Sequence, residues 1–202
     1  MHKASYRHMA VLVERYLQDK KQEPLTIIDV GSYQTDETNS SYRTLFNKPD
    51  WNYFGVDISA GPNVDIVLPS AYKFPFADNY AEVIVSGQAF EHIEFFWLSW
   101  LEMVRVLKPG GYILLIAPSR GAEHRYPVDC WRFYPDGFRA LAKYGNMEIL
   151  EAHTDGLLND KLLPQGTFLK RMVNVMAYLM RFDFHSINNF WGDTVGVFRK
   201  PE

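Results

Sequence analysis

Short, mostly apolar runs alternate with longer mixed segments along this chain, and the alternation predicts its architecture. Residues 26–30, 53–57, 64–68, 82–86 and 112–117 are rich in Val, Ile, Leu, Phe and Tyr and flanked by Pro, Gly, Asn or Asp. They read as strands buried on both faces. Helical spacing appears in two places. Residues 6–18 carry Met9, Val13, Tyr16 and Leu17 on one stripe, and residues 93–107 place Phe96, Trp97, Trp100, Leu101, Val104 and Leu107 toward a sheet. Lys108-Pro109-Gly110-Gly111 then reads as a helix stop, with glycine for positive φ and a proline that cannot continue the helix. Residues 32–48 read as a loop and a short helix crossing between the first two strands. Residues 137–144 are expected to be helical, 147–152 a sixth strand, 168–182 a strongly apolar helix and 194–199 the last strand. No repeat or low-complexity linker interrupts the pattern. It implies one α/β domain over residues 1–202, a Rossmann-like doubly wound sheet with helices on both faces.

The first strand ends at Asp29-Val30-Gly31, and the second ends at Asp57. A strand, a glycine turn and an acid at the tip of the next strand suit a nucleoside, because the acid can accept hydrogen bonds from two ribose hydroxyls. A dinucleotide would need Gly-x-Gly-x-x-Gly to rest its pyrophosphate on backbone N–H groups. The turn here is Gly31-Ser32-Tyr33-Gln34-Thr35, with only the first glycine. S-adenosylmethionine has no phosphate and needs the acid, a close backbone turn and an apolar slot, which this stretch offers. A dehydrogenase is therefore disfavoured.

Composition narrows the partners. A net charge of −3 gives no general attraction to nucleic acid or to an anionic membrane. The single cysteine, Cys130, excludes an internal disulfide and fits a reducing cytosol. No signal peptide is apparent, and no apolar run reaches the roughly 18 residues of a membrane span. A cytoplasmic location is expected.

Asp29-x-Gly31, Asp57, Phe74-Pro75-Phe76-x-Asp78, Val83-Ile84-Val85-Ser86, Glu91-His92 and Arg105-Val106-Leu107-Lys108-Pro109-Gly110-Gly111 follow one another in this order. Together they resemble a class I S-adenosylmethionine-dependent methyltransferase of the type 11 kind, over residues 25 to about 141. The resemblance implies a seven-stranded, mostly parallel sheet with an antiparallel last strand, and the apolar pattern at 168–182 makes about 154–190 a helical insertion before that strand. The resemblance implies that Asp29 and Gly31 lie along the methionine and ribose side of the cofactor; Tyr33, in the same loop, either covers the cofactor as a lid or reshapes the pocket and lowers affinity. Asp57 would take the ribose diol, Ile58, Ser70 and Ala71 would surround adenine, and Ser86 and Gln88 would sit beneath the sulfonium. Two departures stand out. Tyr33 and Thr35 replace family glycines, and Ser70 stands where an acid is usual.

Methyl transfer to a hydroxyl also needs a proton acceptor, and histidine is poised for that near neutral pH. His124 and His92 are candidates, with Asp129 as an orienting group or an acceptor itself. The stretch from Glu123 to Phe138 resembles one in type 11 methyltransferases linked to glycan and glycolipid assembly. Tyr126, Trp131 and Phe133 are either faces for a sugar ring or core residues. The expected acceptor is a small molecule, with a sugar hydroxyl preferred. The alternatives are an N- or carboxyl-methyltransferase, or a methyltransferase-like domain that has lost its cofactor. Some ubiquinone-pathway and small-RNA O-methyltransferases are similar near residue 90 and bind a divalent cation through Glu-x-x-Glu-His and a later His. Glu91, His92 and His124 match three of those ligands by position, but Gln88 replaces the first acid, which weakens a hard-cation site, and no metal is assigned. The apolar helix at 168–182 could roof the acceptor pocket or form a homodimer interface.

Overall fold

The computed structural model describes residues 3–20, 23–35, 41–155 and 192–202. The elements in chain order are α1 (Lys3–Leu17), β1 (Leu25–Val30), β2 (Trp51–Asp57), β3 (Ile66–Val67), β4 (Ala81–Gly87), α2 (Phe96–Val106), β5 (Leu107–Arg120), α3 (Pro135–Tyr144), β6 (Glu148–Thr154) and β7 (Gly192–Arg199). One sheet of seven strands runs β3-β2-β1-β4-β5-β7-β6. The first five strands pair in parallel, whereas β7 is antiparallel to both β5 and β6.

The apolar runs become central strands because both faces of the sheet are covered. Side chains alternate between faces with a period of two. Ile27, Val83, Val85, Leu114, Ile116, Val195 and Val197 pack with Met9, Leu12 and Leu17 of α1. Ile28, Ile84, Ile113, Leu115 and Phe198 pack on the opposite side with Trp100, Met103 and Val106 of α2 and Phe138 and Leu141 of α3. Each such fully buried aliphatic or aromatic side chain contributes roughly 1.5–3 kcal/mol.

Several expectations require correction. The α2 face that meets the sheet is Trp100, Met103 and Val106, with buried Ser99 between turns, while Leu101 is exposed. Lys108 to Gly111 does not cap α2, because Leu107 is already extended (φ −70°, ψ 136°) and pairs with Ala81 across a register shift in β4–β5. Gly110, at φ +74°, makes the bend inside β5 that this shift requires, and its N–H donates to the Lys200 carbonyl. β3 has only two paired residues. The short helix expected between β1 and β2 is present among the described residues as one 3₁₀ turn, Tyr42–Leu45. The insertion expected at 154–190 and its apolar helix at 168–182 lie outside the described residues, apart from Thr154 and Asp155. No helix of the described residues is long and apolar enough to cross a membrane.

Candidate functional site

Strand order reverses between β1 and β4, and the crevice outside the carboxyl ends of such strands is where open α/β sheets bind ligands. A cavity of about 640 Å³ opens there, within the ordinary range for small-molecule sites. Its walls come from the β1 tip (Asp29, Gly31, Ser32, Tyr33), the β2 tip (Asp57, Ser59, Ala60) and the turn after β4 (Gly87, Gln88, Ala89, Glu91, His92). The loop after β5 adds His124 and Tyr126.

Gly31 sits at φ +79° and donates its N–H to the Val56 carbonyl at 2.9 Å. A Cβ there would lie 2.2 Å from the Ala89 Cβ, so the β1 turn and the β4 turn touch at a point only glycine permits. Asp57 accepts the Tyr33 N–H at 3.2 Å on one oxygen and the Ser59 N–H at 3.0 Å on the other. This acid therefore shapes both loops that flank the cavity. The Tyr33 ring lies across Gly61 and 6.3 Å from the Tyr126 ring, forming an aromatic pair at the cavity wall. Asp29 is buried and accepts the Tyr53 hydroxyl. Burial pushes its carboxyl up to about 7, with the Tyr53 hydrogen bond and the Arg43 charge opposing.

At the β4 side, Gln88 has φ +58° and donates its side-chain amide to Asp193 at 3.1 Å. Glu91 has no solvent exposure, and neither of its carboxylate oxygens accepts a hydrogen bond. Burial raises its pKa to about 8. His92 bonds through Nδ1 to the Val128 carbonyl at 2.5 Å and places Nε2 3.6 Å from the Glu91 carboxylate. Burial holds the His92 pKa below its ordinary value. The His92 and His124 rings meet edge to face at 4.8 Å. Asp129 accepts the His124 N–H at 2.7 Å and two hydrogen bonds from Arg132, at 2.5 and 2.8 Å. Arg132 holds the Asp129 carboxyl well below the usual carboxylate range.

The structure thus brings Asp29, Gly31, Tyr33, Asp57, Gln88, His92 and His124 to one cavity. Five other expected residues do not line it. Ser86 is buried and spends its hydroxyl on the Val30 carbonyl at 2.8 Å. Ile58 is half exposed to solvent, and Ser59 and Ala60 take its place at the wall. Ser70 accepts the Tyr72 N–H, and the Ala71 carbonyl accepts the Ser99 hydroxyl, so this turn is tied to α2 instead of the cavity. Asp129 stands behind His124 and orients it. Of the three aromatics, only Tyr126 reaches the cavity. Phe133 is core, packed on Phe96 and Phe138, and Trp131 leans on Phe96 and Trp97. Sequence reasoning missed Asn63, whose side chain donates to the Ser32 carbonyl at 2.9 Å while its own carbonyl accepts the Ser32 hydroxyl at 3.1 Å. The Gly61-Pro62-Asn63 turn signal was its only trace.

Fold and crevice together define a Rossmann-like architecture with a ligand-sized cavity at its switch point. Residues 29–115 match the family model described as a methyltransferase domain, type 11. An uncharacterized methyltransferase of Mycobacterium tuberculosis is 28% identical over 153 residues, covering 67% of this chain and 56% of that protein. Another from Mycobacterium avium is 30% identical over 133 residues, covering 59% and 49%. The chain spans about half the length of these curated relatives. Among solved structures, a SAM-dependent methyltransferase from Archaeoglobus fulgidus superposes with a TM-score of 0.61 at 14% identity, covering 97% of this chain and 95% of that one. The [4+2]-cyclase SpnF gives 0.66 at 18% identity, covering 97% and 81%. Phosphoethanolamine N-methyltransferase 2 of Haemonchus contortus, solved with S-adenosyl-L-methionine, gives 0.58 at 14% identity, covering 97% and 52%. Residues 29–115 are thus similar to a methyltransferase domain, and the presence of a cyclase among the structural neighbours shows that the fold alone does not name a reaction.

Proposed function

We propose that the cavity binds S-adenosylmethionine and that the chain passes its methyl group to a small-molecule acceptor, a hydroxyl of a sugar or glycoconjugate. The observation that carries the cofactor half is the pairing of Asp57 at the β2 tip with the single-glycine turn at Gly31. The carboxylate can accept a ribose diol, and the positive-φ turn at Gly31, packed against Ala89, places the β1 turn backbone along the cavity wall. Bound there, the cofactor supplies an electrophilic methyl group on a sulfonium. The protein's part is alignment and the exclusion of water, since displacement at the methyl is in-line. Tyr33 and Tyr126 offer apolar faces at the cavity wall. The acceptor's proton is taken at the Glu91–His92–His124 end, with His124 as the acceptor of choice because its loop also carries Tyr126.

Calorimetry with S-adenosylhomocysteine and with NAD tests the cofactor half. Saturable binding of the first and none of the second is expected, and the reverse would refute the reading. Transfer of labelled methyl to a panel of sugars and glycoconjugates then tests the acceptor class. Labelling of amines or carboxylates alone would replace it.

A further inference from the structure

We propose that Tyr33 is a positioning residue: through its contact with Tyr126 it holds the loop that carries His124 and ties the acceptor side of the cavity to the cofactor side. This rests on the cofactor reading. Tyr33 puts a ring into a turn where the resemblance would place glycine. That ring lies 6.3 Å from the Tyr126 ring, with the planes tilted by 39°, the spacing of an aromatic pair in contact.

The two partners are held differently. Tyr33 is fixed from both sides. Its N–H donates to Asp57 at 3.2 Å. Before it, the Ser32 N–H donates to the Val56 carbonyl at 3.1 Å, and Ser32 also exchanges hydrogen bonds with Asn63. After it, the Gln34 N–H donates to the Pro62 carbonyl at 3.1 Å. The ring itself lies so close over Gly61 that a Cβ there would stand 2.2 Å from its Cε2. The loops that present Asp57 therefore also set the place of this ring.

Tyr126 belongs to the other half. Residues 121–134 form neither helix nor strand, and Tyr126 is 52% exposed. Its N–H donates to the Val128 carbonyl at 3.2 Å, and that carbonyl also takes Nδ1 of His92. The Cys130 N–H donates to the Glu91 carbonyl at 2.8 Å. These bonds anchor the loop to the turn after β4, and its tip meets Tyr33 of the cofactor side through the Tyr126 ring. His124 is two residues before that ring.

The contact couples the two halves. A cofactor whose ribose sits on Asp57 lies beside the Tyr33 N–H and steadies the loops that carry this ring. A steadier Tyr33 is a better platform for Tyr126, so the loop that bears the proton acceptor is ordered when cofactor is present. By linkage, the ordered loop tightens the cofactor by the same factor. One aromatic pair supplies roughly 2- to 12-fold.

Hydrogen exchange of the full chain, read by mass spectrometry with and without saturating S-adenosylhomocysteine, tests the coupling. In the parent, ligand should slow exchange in residues 57–63 and also in 121–129. Tyr33→Ala and Tyr126→Ala should keep the first effect and lose the second. Tyr33→Phe and Tyr126→Phe should keep both, because the ring carries the contact. Tyr134→Ala, an exposed ring on the same loop outside the cavity, should behave as the parent. Each alanine variant should weaken S-adenosylhomocysteine by roughly 2- to 12-fold. The double variant should lose less than the product of the two, by about that factor. Multiplicative losses, slowing at 121–129 that survives in Tyr126→Ala, or phenylalanine variants that behave like alanine would each overturn the coupling. Tyr126 is half exposed, so Tyr126→Ala carries the test if Tyr33→Ala fails to fold. A parent that binds ligand and slows 57–63 alone would refute this inference and keep the cofactor reading; a folded parent that binds none would remove both.

Discussion

Gly31→Ala probes the contact that joins the two halves of the crevice. A non-glycine residue held at φ +79° costs about 1–2 kcal/mol. The added Cβ would also stand 2.2 Å from the Ala89 Cβ and 3.6 Å from its Cα, atoms that move only with backbone. That overlap adds roughly 1–3 kcal/mol, for a total of about 2–5 kcal/mol. Ala89→Gly alone should cost about 0.5–1 kcal/mol through backbone entropy. In the double variant the clash vanishes and the φ strain remains. The double variant should therefore be more stable than the sum of the singles by about 1–3 kcal/mol. Urea denaturation of the four proteins measures this coupling, and S-adenosylhomocysteine titration shows whether the cavity recovers with stability. Additivity within about 0.5 kcal/mol would refute the claim that these two turns touch at Gly31.

Two further outcomes follow from the same geometry. Asp57→Asn should weaken S-adenosylhomocysteine by about 10- to 100-fold, since charge-assisted hydrogen bonds are worth roughly 1.5–3 kcal/mol. Asp65→Asn, which alters a carboxylate paired to Arg43 outside the cavity, should leave binding unchanged; equal effects would misplace the nucleoside. Asp29 titrates near 7 when folded and near 3.9 when unfolded, so the folded state keeps a proton that the unfolded state has released between those values. Its contribution is present at low pH, falls as pH rises through that window and levels off above about 7. Relative to the parent, Asp29→Asn should gain about 2–3 kcal/mol between pH 5 and pH 8 in urea unfolding. A pH-independent difference would show that Asp29 is ionised throughout.

The sequence by itself determined the sheet. Ile27-Ile28, Val83-Ile84-Val85 and Ile113-Leu114-Leu115-Ile116 are apolar at every position, and a strand has no solvent face only when helices cover both sides. It also marked the strand tips at Gly31 and Asp57, because a positive-φ turn and a terminal acid are local features. Lys108 to Gly111 misled for the same reason. Proline and glycine chemistry signals a bend, but whether the bend caps a helix or bulges a strand depends on Ala81 and Lys200, which are distant in sequence. Tertiary structure alone decided that Ser86, Ser70 and Ala71 do not line the cavity and that Phe133 is core. It alone set the His92 and His124 rings edge to face at 4.8 Å. His124 follows His92 by an entire helix and strand, and what unites them is the parallel pairing of β4 with β5, which delivers both following loops to the same edge of the sheet.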